Sequence, residues 1–405
     1  MSRFYIPNNL STIYEASENS HSNTSTLLTG TFILNSVEIH VSNPIIQEDS
    51  PFSRHVLYLV HGEDSSGPFE VHRRYSDFQT LRTQLQLRWP GCFIPPTPPK
   101  KYLGNFSATF IESRRSFLEM FVGEISKINF LYTCEDFQNF IRGKGDYEKS
   151  IYNQKPSISD LAIVYQSIFS EFVDIGINDE MLVKMQEHEN FLKANLSNLN
   201  AFKKNAKNIY LHADSLNMQW MNLNEKIKEI EGEYIKKMKE NQENQKIKPI
   251  ERHNPFRELY EWAKLEVMNV NAMIETIQTK HEYNALRHVK QKEFKKATKN
   301  IVKTDEPISG TEYVQKFVNK LTKRSEGKIS ILGKEIDDLE LILHIITVRL
   351  CEEEIPNFKA ARTKEFERMV EKYSKIINEG FNNISGKDSP LLMKFEEELT
   401  FSNAH

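Results

Sequence analysis

Between Thr31 and Tyr75 apolar and polar positions alternate, whereas beyond Gly145 apolar residues recur at intervals of three and four. The first period belongs to half-buried strands and the second to amphipathic helices. "TFILNSVEIHV" (31–41), "HVLYLVHG" (55–62) and "PFEVHRRY" (68–75) read as three strands, with "EDSSG" (63–67) as the hairpin turn joining the last two. A helix capped by Ser76 or Asp77 is expected through Trp89, then a loop in "GCFIPPTPPKK", a helix over Thr109–Ile125 and a short helix ending near Ile141. This is an α+β domain.

The rest reads as all helix. Leu192, Leu196, Leu199, Phe202, Ala206, Ile209, Ala213, Leu216, Trp220, Leu223, Ile227, Ile230 and Tyr234 form a coiled-coil seam with one stammer between Leu196 and Phe202. A second run, Ala263, Val267, Val270, Ile274, Ile277 and His281, follows a Pro255 suited to a helix start. A third uses Leu332, Ile336, Leu339, Leu343, Ile346 and Leu350, and Leu341, Ile345 and Val348 give it a second apolar stripe. Such a segment needs more than one neighbour, from which a dimer with this segment at its centre is expected. Pro356 should bend the third helix, or else split it with a loop. Between the domains, Leu161, Val164, Ile168, Phe172 and Ile175 mark one face of a helix over 157–177. Its polar face carries Asp160, Glu171 and Asp174 without Lys or Arg, which favours a yoke between domains over insertion into anionic lipid. The expected division is a flexible tail (1–29), the α+β domain (30–145), a linker (146–178), the helical domain (179–392) and a C-terminal tail (393–405).

Composition narrows the function. A net charge of −3 over 405 residues argues against nucleic acid, so any anion must meet a local basic patch. Cys92, Cys134 and Cys351 lack CxxC spacing and read as reduced thiols. No apolar run reaches the ~18 to 20 residues that span a bilayer, and no signal peptide is read, so work on a membrane is expected from its surface. "HEN" at His188 lacks the second histidine of a zinc site, and His212, His281 and His344 fall on helical repeats. No phosphate loop or nucleophile elbow is present, and neither an enzyme nor a cofactor is expected.

"RRYSDF" places two arginines and a tyrosine where strand gives way to helix. A guanidinium pair can hold a phosphate, a tyrosine face can lie under a sugar-like ring, and a helix start adds donors. The same pair could instead stack on its own domain and bridge carboxylates. "PPTPP" could serve as a polyproline ligand or simply stiffen its loop. Tyr102, Leu103 and Phe106 could dip into lipid or be buried.

"RRYSDFQTLRTQL", "IPPTPPKKYL" and "FIESRRSFLEMFV" together resemble the phox-homology (PX) domain over about residues 30 to 145. That resemblance implies a three-stranded antiparallel sheet packed on helices, and binding of phosphoinositides, most often phosphatidylinositol 3-phosphate. It implies that Arg74 holds the 3-phosphate, Tyr75 underlies the inositol ring, Lys100 meets the 1-phosphate and Arg114 holds ring hydroxyls. Ser76 is counted with them, Arg73 is structural, and Lys101 and Arg115 are understudies. The helical half resembles a BAR domain, an elongated three-helix coiled coil, and the whole arrangement is similar to sorting nexins of the PX-BAR type. The resemblance implies a homodimer or heterodimer with another PX-BAR protein, peripheral on the cytoplasmic side of endosomal membranes, sensing or shaping curvature in sorting and transport. Lys295, Lys296, Lys299, Lys303, Lys323 and Arg324 would face the membrane, together with Leu103 and Phe106. The competing reading is a coiled-coil tether that uses its PX domain only as an address.

Overall fold

Three strands pair in the order β1-β2-β3, all antiparallel: β1 Ile39–Ser50, β2 Ser53–Asp64 and β3 Gly67–Arg74. The structure, a computed structural model, describes residues 37–50, 53–100, 106–145, 147, 155–235, 254–302 and 312–385. Strands β2 and β3 and the hairpin closing at Asp64 and Gly67 lie where alternation puts them. The first strand differs, running on to Ser50 rather than ending at Val41, while residues 31–36 of its expected span lie outside the described residues. The register slips between Ser42 and Ile45, where Asn43 takes φ 45°. A bulge of this kind shifts the apolar alternation by one position, so the second half of the strand cannot be read as period two.

Among the described residues, helices α1 Tyr75–Arg88, α2 Ala108–Ser126, α3 Asn129–Tyr132 and α4 Glu135–Arg142 cover the sheet's domain. Val41, Tyr58 and Val60 of the sheet meet Phe78, Leu81 and Leu85 of α1 and Leu118, Phe121 and Val122 of α2 in a fully buried core. Phe78 touches the rings of Tyr58 and Phe140 at 6.4 and 4.9 Å. Each such side chain contributes on the order of 1.5–3 kcal/mol by leaving water. The cap of α1 is neither Ser76 nor Asp77. Arg74 is the N-cap, and Asp77, three residues on, accepts its backbone N–H at 2.9 Å. Asp77 reaches back because the strand ends only one residue before the helix begins.

Beyond lie α5 Ile158–Ile168, α6 Asp179–Ile235, α7 Pro255–Val302, α8 Glu312–Arg349 and α9 Ile355–Ser385. A 3₁₀ turn, Ser170–Phe172, follows α5. Pro255 does open α7. Between α8 and α9 the chain stays helical through a five-residue π turn, Leu350–Glu354, so Pro356 sits in the first turn of α9 and no loop splits the helix. A π turn changes the backbone pairing just where proline lacks a donor.

The chain divides into two compact units, the first comprising residues up to Met185 with Glu275–Glu354, the second Gln186–Ile274 with Ile355 onward. In the first, α5 lies along α8, with Ser159 bonded to Asp338 at 2.5 Å and the Tyr165 hydroxyl donating to the Pro90 carbonyl at 2.5 Å. Leu161, Val164 and Phe172 are buried as the amphipathic pattern requires, which makes this connector a packed yoke, although Ile168 and Ile175 remain exposed. Ile342, Ile345, Ile346, Val348 and Leu350 are buried on all sides within this unit. Much of the two-striped segment is therefore covered by its own chain, through α5 and the loop at Gly91, while Ile336 and Leu341 stay half-buried. In the second unit, Trp262 lies 5.9 Å from both Phe202 and Phe366, and Arg362 pairs with Glu266 at 3.2 Å. The α6 seam is buried at Leu192 and Ala206 but exposed at Phe202, Ile209, Leu216 and Leu223.

Candidate phosphoinositide site

The two arginines of the strand-to-helix junction part ways. Arg73 points inward, 2% exposed, opposite Tyr58 in the register. Its guanidinium donates to the carbonyls of Phe140 at 2.9 Å, His72 at 3.2 Å, Asn139 at 3.3 Å and Gly145 at 3.4 Å, and also to Gly143. The last turn of α4 leaves carbonyls without helical partners, and a cation there satisfies them. Arg73 is thus a structural clasp.

Arg74, the next residue, turns the other way at the N-terminus of α1, where its Nε lies 3.4 Å from the Asp77 carboxylate. Burial raises the Asp77 pKa, opposed by the Arg74 backbone N–H and the charges of Arg74 and Arg73. Tyr75, first residue of the helix, escapes the alternation that would send it opposite Arg74. Its hydroxyl donates to the Pro98 carbonyl at 2.5 Å and accepts from Gln79 at 2.6 Å. Arg82 Nε donates to the Pro95 carbonyl at 3.0 Å. These bonds pin the proline loop to its own domain, the stiffening role rather than a free polyproline ligand. Lys100 is exposed at the loop's end, and Ser76 lies half-buried in the first turn of α1.

Arg114 arrives from α2 and closes the group. Its Cζ lies 4.0 Å from the centroid of the Tyr75 ring and 4.4 Å from that of Phe110. A guanidinium over an aromatic face gains about 0.5–2 kcal/mol, more as water is excluded. Arg114 is only 7% exposed, and its Nε and Nη2 meet no hydrogen-bond acceptor. Desolvation by burial lowers its pKa, with the nearby Tyr58 and Tyr75 hydroxyls opposing. The structure therefore joins the start of α1, the proline loop and α2 through Tyr75. Arg115, one residue on, is engaged with Glu112, Glu119 and the Val41 carbonyl and faces away.

The other expected residues fare differently. Lys101, Tyr102, Leu103 and Lys303 lie outside the described residues. Phe106 is half-buried beneath the Arg54 guanidinium, 4.6 Å from its ring. Lys295 and Lys296 are exposed on α7. Lys299 lies on α7 and Lys323 and Arg324 on α8, their side chains outside the described set. Among the described residues no group of His, Cys, Asp and Glu is arranged to hold a metal, and no helix is long and apolar enough to cross a membrane. An open cleft of about 740 Å³ lies at the hairpin end of the sheet, lined by Glu38, Glu63, Glu70, His40 and His61. Its carboxylates make it a poor seat for a phosphate.

Sequence reading passed over Tyr58 and Phe110, which flank Arg114. Phe110 precedes Arg114 by four residues on α2, a helical spacing that could have found it, whereas Tyr58 is brought in from β2 by the sheet. Arg349 was missed as well. It is 3% exposed, bonds Glu353 at 2.8 Å and Glu354 at 2.9 Å, donates to Cys92 Sγ at 2.7 Å and lies 3.9 Å over the Phe169 ring. It ties the loop after α1, the connector and the end of α8 together within the first unit.

A PX domain family model matches residues 62–144. Sorting nexin-7 of Mus musculus is 30% identical over 39% of this chain and 41% of its own, and sorting nexin 1 of Arabidopsis thaliana is 33% identical over 33% and 35%. The chain thus spans less than half the length of these curated relatives. A solved SNX-BAR Mvp1 tetramer aligns over 84% of this chain and all of that one, at 15% identity and a TM-score of 0.45.

Proposed function

We propose that this chain, in which a match to the PX domain over residues 62–144 is followed by long helices, is a sorting nexin of the PX-BAR type that docks on membranes by clasping the headgroup of phosphatidylinositol 3-phosphate. Arg74 holds the 3-phosphate at the N-terminus of α1, Tyr75 lies under the inositol ring, Lys100 meets the 1-phosphate and Arg114 reaches ring hydroxyls, with Ser76 beside them. The observation that supports this most directly is the Tyr75 contact set, which gathers α2 and the proline loop at the residue next to Arg74. Guanidinium forks suit phosphate oxygens better than ammonium groups do.

In this reading the protein works as a dimer with a second PX-BAR chain, either its own copy or a relative. The support lies on α6, where Ile209, Leu216 and Leu223 are 45%, 67% and 50% exposed at seam positions that a partner helix would cover. Two headgroup pockets per dimer raise avidity through effective concentration. Lys295 and Lys296, with Lys299, Lys303, Lys323 and Arg324, add about 1 kcal/mol each near an anionic leaflet before salt screening. The outcome would be peripheral attachment to the cytoplasmic face of endosomal membranes and sorting into curved carriers, without chemistry on the lipid.

Sedimentation with phosphatidylcholine vesicles tests the pocket. Vesicles carrying phosphatidylinositol 3-phosphate should retain the protein and lose it on Arg74→Gln, at least tenfold in affinity by the loss of a charge-assisted bidentate contact. Equal retention of the variant, or of vesicles without the lipid, removes the assignment. Tubulation of such vesicles by the pure protein separates remodelling from tethering, which would crosslink them and leave them round.

A further inference from the structure

We infer that Tyr58 and Phe110 are positioning residues that hold the Arg114 guanidinium in one orientation for the ring hydroxyls of an inositol headgroup, a role that rests on the headgroup reading above. Arg114 stands in an aromatic cage. The rings of Tyr75 and Phe110 lie 4.0 and 4.4 Å from its Cζ, and the nearby Tyr58 is wholly buried. The Tyr58 hydroxyl and the Arg114 guanidinium are near enough to interact, each opposing the shift that burial imposes on the other, although no well-aligned hydrogen bond satisfies the hydroxyl, Nε or Nη2.

A long side chain over two rings would otherwise sample several rotamers, each presenting a different N–H edge. The rings restrict tilt, because a guanidinium keeps its attraction only while it lies over the aromatic faces. The Tyr58 dipole restricts rotation, since a buried hydroxyl oxygen attracts the nearer N–H edge and so leaves the opposite edge for the ligand. Burial pushes the Tyr58 hydroxyl up to about 12, which keeps it protonated and neutral, so it orients the arginine without forming an ion pair that would compete with the lipid. Phe110 is half-buried and Tyr58 buried, so the cage closes from the solvent side and the core side respectively. Ordering these groups before binding spares the complex the entropy of ordering them during it.

The test uses the full chain and two readouts. One is affinity for phosphatidylcholine vesicles carrying phosphatidylinositol 3-phosphate. The other is hydrogen exchange of the Arg114 Nε–H by ¹⁵N NMR in the absence of lipid. Tyr58→Phe and Phe110→Leu should each weaken binding by about threefold to tenfold, the size of one lost polar or cation–π contact, and should each speed that exchange. Unchanged affinity in both variants overturns the inference. So does weakened binding with Arg114 exchange unaltered, because the effect would then lie in the fold. Should Tyr58→Phe fail to fold, Phe110→Leu carries both readouts. Arg74→Gln separates the two levels: if it binds like the wild type, the headgroup reading itself has failed and this one falls with it.

Discussion

Replacing Arg349 by Met removes a buried cation while keeping an unbranched apolar side chain of similar reach. In the wild-type protein this guanidinium is 3% exposed and answers Glu353 and Glu354, whose side chains are only 12% and 13% exposed. Breaking a buried pair from one side costs about 3–5 kcal/mol, because the remaining carboxylates lose their counter-charge while staying desolvated. Loss of the contact over Phe169 adds up to about 2 kcal/mol, of which the thioether of methionine recovers part. Partial access of water to the two glutamates argues for the lower end, about 3 kcal/mol.

Trp89 sits 4.8 Å from Phe130 and 6.1 Å from Phe169, inside the same cluster. With Trp220→Phe and Trp262→Phe as background, its fluorescence in a urea titration reports this unit without requiring the whole chain to unfold in one step. The deficit should depend on pH. Burial raises the Glu354 pKa above its usual value and Arg349 opposes the shift in part, so without Arg349 it rises further. A carboxyl raised in the folded state contributes stability that is complete below its unfolded value, near pH 4.5, and is lost as pH climbs through the folded one. The variant's deficit should therefore be smallest near pH 4.5, where mainly the lost contact over Phe169 remains, and reach about 3 kcal/mol at pH 7.5. A deficit under about 1 kcal/mol at pH 7.5, or one independent of pH, would refute the clasp.

Three other outcomes follow from the same structure. Arg73→Met should destabilise the PX domain by about 3 kcal/mol, since it strands several carbonyls around the end of α4, whereas Arg74→Gln should leave the urea midpoint within error and abolish vesicle binding. Reversal of those two results would exchange their roles. Gly91→Ala should cost about 1–3 kcal/mol, because φ is +80° there and a Cβ would meet Ile346 Cγ2 at 2.5 Å; a neutral result would mean that the loop lies elsewhere. His188, 4% exposed with Nε2 unpartnered between Phe191 and Phe358, is held down to about 4 by burial and by Lys359. A depressed histidine contributes stability above its unfolded value that is lost as pH falls from about 6.5 to 4, here up to about 3 kcal/mol. His188→Phe should flatten the stability curve across that window, and an unchanged slope would show that the ring is solvated.

Local pattern carried much of this protein. Strands β2 and β3, the hairpin at Gly67 and the helix start at Pro255 all depend on near neighbours and on periods of two and 3.6, whereas the structural place of Arg73 beside Arg74 was implied only by the resemblance to PX domains. The bulge at Asn43, the π turn before Pro356 and the cap at Arg74 were not legible, because each is a local exception whose backbone is fixed by what packs against it. Only the tertiary structure decided what covers the two-striped segment ending at Leu350, and only it brought Tyr58 near Arg114 and Cys92 against Arg349. Those pairs lie 56 and 257 positions apart, and hydrophobic periodicity says which face of an element will be buried but nothing about which distant face it will meet. Contacts of that separation are chosen by the free energy of the whole packed unit, and no window of sequence contains it.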